Sequence, residues 1–328
     1  MTPARAAALA AALAALASSS PSRAASAPPR PASPAPPGSA PADELPAKPA
    51  ELLAKLRARI AVVDSRLDGV LGLYVRDVQS GATIELRPDE AFPTASSIKL
   101  AVLHELYRQA DEGRIDLLEA TRPPVPRVRG GGVLQELGDR VSLTWRDLAV
   151  LMMGWSDNEA TNVLVRKVGL GEVNRRLDAL GLGRTRLRRL MMDTEAARRG
   201  DENVSTPREL ARLAELVARG EGVSAERAAD QLAVALVADE GSPFRRGLPE
   251  GTRAVTKAGA LEGVRCEAAL VDLPGRPYSA AIMTAYLRRE QDGDDAIAEV
   301  SAALFETFDR LARASEYGRI ISDRVTAK

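Results

Sequence analysis

The sequence holds a single cysteine, Cys266, and a single histidine, His104. One cysteine excludes an internal disulfide and any cysteine-rich metal site. One histidine argues against a Ser–His catalytic pair and against a poly-histidine metal site. Aromatic residues make up only 3% of the chain, and Lys plus Arg equals Asp plus Glu at 45 each. Neither a stacking platform nor a positive footprint for nucleic acid is therefore present. The Ala/Leu run from Ala6 to Ala17 is too short to span a bilayer. These shortages leave no expected metal, organic cofactor, nucleic-acid partner or membrane span.

What the chain does have is enough apolar material for a sizeable core, 45% of 328 residues. Arg5 precedes the Ala/Leu run, which ends in Ala15-Leu16-Ala17 before three serines. A charged start, a short apolar segment and small residues at a cleavage point predict a secretory signal over 1–17. No cysteine follows it, so no lipoprotein anchor is expected. From Pro21 to Pro49 the chain is mostly Pro, Ala and Ser, with ten of the 21 prolines. Such a composition buries no core and predicts an extended linker over 18–49. A globular domain is then expected over 50–315, with a tail at 316–328.

Periodicity predicts an amphipathic helix over 51–67, with Leu52, Leu53, Leu56, Ile60 and Val63 on one side. Strands follow at 71–78 and 82–86, joined by a turn at Gln79-Ser80-Gly81. A helical middle comes next. One helix starts near Pro93-Thr94 and stops at Gly113; another starts at Thr144, with Asp147 as capping-box partner, and breaks after Trp155 at Ser156-Asp157-Asn158. Helical spacing resumes over 159–168. After an irregular, arginine-rich stretch (181–204), Thr206-Pro207 and Glu209 predict a boxed helix start. Another helix is expected over 224–236. Strands are expected at 254–261, 264–273 and 278–287, and a closing helix over 294–311. Segregated strand and helix blocks suggest an α+β domain whose antiparallel sheet is assembled from both ends, around an all-helical middle.

The segment Phe92-Pro93-Thr94-Ala95-Ser96-Ser97-Ile98-Lys99 leads into the apolar run Leu100, Val102, Leu103. At i and i+3 on a helix, Ser96 and Lys99 share a face at its N-terminus. A hydroxyl beside an amine can be a nucleophile with its own base. Alone, the spacing also fits a capping serine beside a solvated lysine. His104 lies two turns further on, roughly 12 Å away at 1.5 Å per residue, and reads as a packing residue.

Ser96-x-x-Lys99, Ser156-Asp157-Asn158 and Lys257-Ala258-Gly259 occur in this order. Together they resemble the motif set of class A β-lactamases and penicillin-binding proteins over about 265 residues. Gly131-Gly132-Val133-Leu134-Gln135, ahead of the second motif, is similar to the class A branch. The resemblance implies an acyl-enzyme on Ser96. It makes Lys99 the proton acceptor, which must be neutral; a free lysine costs about 4.6 kcal/mol to deprotonate at pH 7. Burial and the charge of Lys257 would lower that cost. It implies that Ser156 relays a proton, that Asn158 orients Lys99 and binds the substrate amide, and that Lys257 attracts a carboxylate. The N–H groups of Ser96 and Ala260, beside Gly259, would form the oxyanion hole. Asp157 reads as a turn residue.

Two departures stand out. Ala258 replaces the hydroxyl residue of the third motif, removing a charged hydrogen bond of roughly 1.5–3 kcal/mol. Arg265 on the next strand is a candidate compensator, or simply an exposed arginine. The Glu-x-x-x-Asn pattern that supplies the deacylating base in class A enzymes is missing; Asp193 or Glu195 could serve, or be surface carboxylates. The expected protein is an exported serine hydrolase, periplasmic or extracellular, a monomer acting on a small β-lactam or a peptidoglycan stem peptide. β-Lactam hydrolysis is the leading activity. The alternatives are a D-Ala-D-Ala carboxypeptidase or esterase that clears β-lactams slowly, and a noncatalytic cell-wall sensor.

Overall fold

The computed structural model describes residues 48–237, 241–315 and 317–320. The expected signal segment, nearly all of the linker and most of the C-terminal tail lie outside them. Helix α1 (Lys48–Arg66) precedes the hairpin of β1 (Val70–Asp77) and β2 (Thr83–Leu86). Strand β3 (Phe92–Pro93) leads through a 3-10 turn (Ala95–Ile98) into α2 (Lys99–Asp111). Strands β4 (Ala120–Thr121) and β5 (Leu143–Thr144) come next, then α3 (Trp145–Gly154), α4 (Asn158–Val168) and α5 (Leu170–Ala179). The middle ends with α6 (Thr194–Arg198), β6 (Val204–Ser205), α7 (Pro207–Arg219), α8 (Ala225–Ala235) and α9 (Pro243–Arg246). Strands β7 (Ala254–Leu261), β8 (Val264–Val271) and β9 (Tyr278–Ala285) precede the closing helix α10 (Glu290–Arg313).

The main sheet has the order β2-β1-β9-β8-β7, antiparallel throughout. The join between chain ends is the β1–β9 pairing, from Val70 opposite Ala285 to Asp77 opposite Tyr278. This is the α+β architecture that the segregated blocks predict. Alternating side chains let the sheet bury both faces. On one face lie α1 and α10, with Leu56, Ile60, Val300, Leu304 and Phe308 in a shared core. On the other lies the helical middle, built around α2 and the Leu210, Leu213 and Leu216 stripe of α7. β7 is an edge strand, and its free edge faces the N-terminal turn of α2.

Several elements differ from expectation for identifiable reasons. Ala95 has φ of 46°, outside helical geometry, so the chain makes a 3-10 turn and α2 begins only at Lys99. Gly169, at φ of 89°, both ends α4 and caps α5, a helix whose buried stripe is only Val173 and Leu177. The Thr144–Asp147 capping box forms in full. At Thr206 only half forms: Thr206 accepts from the Glu209 N–H, but the Glu209 carboxylate turns to the N–H groups of Arg184 and Thr185. α10 starts four residues early, at Glu290, and α1 takes in the last two residues of the expected linker.

His104 is fully buried in α2, and Arg176 of α5 donates to its Nε2 at 3.2 Å. Burial, and then the Arg176 charge, push its pKa down to about 4; Arg108 adds to this, while Gln231 and Glu221 oppose it. The fold therefore holds the neutral ring, whereas the unfolded chain takes up a proton below pH 6.5. Stability is full above pH 6.5 and falls as pH drops toward 4. We expect a loss of roughly 2 kcal/mol between pH 7 and 5, read by urea denaturation. His104→Gln should flatten that window, and a flat wild-type profile would sink the assignment.

Candidate active site

The Ser96 turn is fixed from outside before the helix begins. β3 pairs with β6, Pro93 opposite Val204, and Thr94 continues the pairing by donating its N–H to the Asn203 carbonyl at 2.9 Å. The Thr94 hydroxyl donates to the same oxygen at 3.1 Å. Ala95 then takes its left-handed conformation, which costs a residue with a side chain on the order of 1 kcal/mol. The next residue is Ser96, half-buried on the wall of a cavity of about 770 Å³. Ser97 points the other way and donates to the Lys257 carbonyl at 2.9 Å, tying the first motif to the third.

Lys99 is fully buried. Its Nζ donates to the Ser156 carbonyl at 2.6 Å, to Ser156 Oγ at 3.1 Å and to Asn158 Oδ1 at 3.1 Å. The first two motifs are thus in direct contact. Ser156 is held at φ of 50°, a second strained residue at the site. Asp157 caps α4 through the Ala160 N–H at 2.8 Å and grips the Leu134 N–H at 2.7 Å. That is the turn role expected of it. Asn158 donates from Nδ2 to the Gly130 carbonyl at 3.1 Å, so its oxygen faces Lys99. Gly132 is needed because a Cβ there would lie 2.4 Å from the Asp157 Cα.

The third motif runs along the free edge of β7. Lys257 is buried, with Nζ donating to the Ala258 carbonyl at 3.2 Å. Ala258, Gly259 and Ala260 line the cavity with Ser96, Ser156 and Asn158. A Cβ on Gly259 would fall 2.4 Å from the Thr94 carbonyl oxygen and 3.0 Å from the Ser96 nitrogen. The strand and the Ser96 turn therefore touch backbone to backbone. Cys266 fills the space behind them, with Sγ 2.9 Å from the Thr94 oxygen; burial pushes its thiol up to about 12.

Two further expected residues have other partners, and of the two only Arg265 lines the cavity. Arg265 is largely buried and bonds the carbonyls of Leu261 at 3.0 Å and Val264 at 2.8 Å. Its guanidinium also meets Glu290 and, at 3.1 Å, Asp294, at the start of α10. A charge already matched by two carboxylates is a poor replacement for the missing hydroxyl at 258. Asp193 is exposed and caps α6 through the Ala196 N–H at 2.9 Å. Neither Asp193 nor Glu195 lines the cavity.

The sequence reading missed the residues that do form this wall: Arg189, Met191, Met192, Glu202 and Asn203. Glu202 is held by Arg189, with Nε at 3.0 Å and Nη2 at 2.7 Å, and by the Asn203 N–H at 2.8 Å. Asn203 Oδ1 in turn accepts from the N–H groups of Arg188 and Arg189. What brings this segment to the site is the β3–β6 pairing, continued by the Thr94–Asn203 bond, and two-residue strands give no periodicity to read. Among the described residues no group of three or more His, Cys, Asp or Glu could hold a metal, and no helix is long and apolar enough to cross a membrane.

Known proteins resemble this chain over most of its length. The model of the beta-lactamase enzyme family matches residues 55–308. A beta-lactamase of Streptomyces albus G is 30% identical over 265 residues, covering 76% of this chain and 83% of the relative. The crystal structure of a beta-lactamase from Sphaerobacter thermophilus superposes with a TM-score of 0.71 at 28% identity, over 78% of this chain and 96% of the other. PBP-A, solved as a point mutant in an acyl-enzyme complex with penicillin G, gives 0.71 at 29% identity, over 78% and 97%.

The Gly259 contact can be tested alone. Gly259→Ala must push β7 away from the Ser96 turn. Acylation of Ser96 by a penicillin should then slow about a hundredfold, as displacements near 1 Å do at reacting centres. Far-UV circular dichroism should keep its helical signal. A near-wild-type acylation rate would mean that β7 does not shape the site.

Proposed function

This chain belongs to the beta-lactamase enzyme family of serine hydrolases, and from that membership and the buried lysine we propose that it opens the β-lactam ring by acylating Ser96. The observation that carries the reading is Lys99, buried and hydrogen-bonded to both Ser156 Oγ and Asn158 Oδ1. A module that only bound cell wall would have no use for a buried amine held beside a serine. In the proposed sequence, neutral Lys99 takes the Ser96 proton as Oγ attacks the lactam carbonyl. The Ser96 and Ala260 N–H groups stabilise the oxyanion. Ser156 passes a proton from Lys99 to the departing nitrogen. Asn158 holds Lys99 and the substrate amide, and Lys257 attracts the substrate carboxylate.

The second half-reaction needs a base for water. Among the described residues of the 188–203 wall, the one carboxylate lining the cavity is Glu202, and Arg189 engages both of its oxygens. This supports a second reading: a penicillin-interacting enzyme that acylates readily and releases slowly, with a stem peptide or ester as its own substrate. The acyl-enzyme complex of PBP-A with penicillin G is consistent with such a species in a related fold. The proposed setting is export to the periplasm or cell exterior, where a monomer meets these substrates.

Intact-mass spectrometry over time separates the readings. Wild type mixed with benzylpenicillin should gain one adduct, and Ser96→Ala should gain none. We expect the adduct to accumulate and clear more slowly than it forms. Rapid turnover without accumulation would require a working hydrolytic base. No adduct in either protein would overturn the β-lactam reading altogether.

A further inference from the structure

Sulfur is distributed unevenly through this protein. Met152, Met153, Met283 and Cys266 are buried, and Met191 is 7% exposed, but Met192 is 47% exposed. Cys266 carries no thiolate at neutral pH, because burial pushes its thiol up to about 12. Among the described residues, Met192 is thus the one sulfur that a dissolved oxidant can reach freely.

Its position is unusual in a second respect. Met192 sits at φ of 63°, a left-handed conformation seldom adopted by residues with side chains. The Thr194 N–H donates to its carbonyl at 2.9 Å and closes a tight turn. The turn aims the thioether across the cavity wall at Gly130. A Cβ on Gly130 would lie 2.7 Å from Met192 Cε and 3.0 Å from its Sδ, so the thioether packs flat on the glycine. The carbonyl of that same glycine takes the hydrogen bond from Asn158 Nδ2. Met192, Gly130 and Asn158 form a continuous layer from an accessible sulfur to the catalytic cluster.

We propose that Met192 is an oxidant-sensitive lip of the acylation cavity, converted by hydrogen peroxide to the sulfoxide with loss of its seat on Gly130. The sulfur lone pair attacks one peroxide oxygen and the O–O bond breaks. A sulfur–oxygen bond forms, and the second oxygen leaves as water after proton transfer. Sulfur loses two electrons and the peroxide gains them. An apolar thioether becomes polar and gains an oxygen, where the thioether already lies in close contact with Gly130. The side chain leaves, the 130–132 segment loses its support, and Asn158 loses a fixed anchor. The effect on acylation rests on the proposed function; the oxidation itself does not.

The test is to treat wild type and Met192→Leu with graded hydrogen peroxide, map the oxygen by peptide mass, and measure acylation of Ser96 by benzylpenicillin. Each protein is compared with its own untreated sample, and p-nitrophenyl acetate hydrolysis is followed in parallel. We expect the first gain of about 16 Da at Met192. Acylation should then slow at least about fivefold and recover with methionine sulfoxide reductase, while Met192→Leu is refractory. First oxidation at another methionine, an unaltered rate in the Met192 sulfoxide, or equal slowing of Met192→Leu would each overturn the proposal. If untreated protein is not acylated by benzylpenicillin, the proposed function fails; the ester then reads the lip by the same criteria.

Discussion

A buried amine is the constraint on which the rest of this structure turns. Lys99 is removed from water, and burying a polar group costs free energy unless it is hydrogen-bonded. The fold answers by bringing oxygen acceptors to Nζ from one short segment, Ser156 through Asn158. That segment needs support of its own, because Ser156 is strained and α4 begins immediately after it. Asp157 supplies the support by capping α4 and gripping Leu134 with the same carboxylate. The arrangement is thus a chain of dependence. The lysine requires the turn, the turn requires the cap, and the cap requires a glycine at 132, where no side chain fits.

The third motif enters through backbone contact, which is a different kind of constraint. Gly259 lets β7 touch the Ser96 turn, and the Ser97 hydroxyl clamps the Lys257 carbonyl from the other side. β7 is paired with β8 in a five-stranded sheet, so the Ser96 turn is registered against that sheet. Preorganised N–H groups of this kind need not rearrange as charge develops, which is why such contacts carry so much weight in acyl transfer.

Much of this was legible in the sequence, and the exceptions share a cause. The sheet strands were readable because period-2 patterns lie between clear turn signals: 254–261 agrees residue for residue, and the other strands agree within two residues at each end. The first two motifs were readable because each sits at the start of a helix, and the third because it lies within a strand bounded by turns. What could not be read depends on tertiary partners. Thr94 resembles a helix cap, but its hydroxyl goes to Asn203, more than a hundred residues away. Glu209 resembles the second half of a capping box, but it serves the N–H groups of Arg184 and Thr185. Arg265 resembles a free strand arginine, but the early start of α10 brings Glu290 and Asp294 to it. In each case a side chain that fits a local role has a partner distant in sequence.

The same distinction bears on how the two halves of the reaction are supported. The groups proposed for acylation lie on the 3-10 turn and the first residue of α2, on the Ser156–Asn158 turn into α4, or on β7, and these elements are packed into the two cores. The 188–203 wall of the cavity is built differently, from a short helix and a network around Arg189, Glu202 and Asn203. That network uses its carboxylate to hold the wall in shape. Freeing Glu202 to act on water would release Arg189, a largely buried arginine, from its partner. The wall can have a carboxylate that stabilises its shape or one that serves as a base, and here a single residue would have to be both. The residues proposed for acylation thus rest on the packed cores, whereas the carboxylate of this wall is already committed to Arg189.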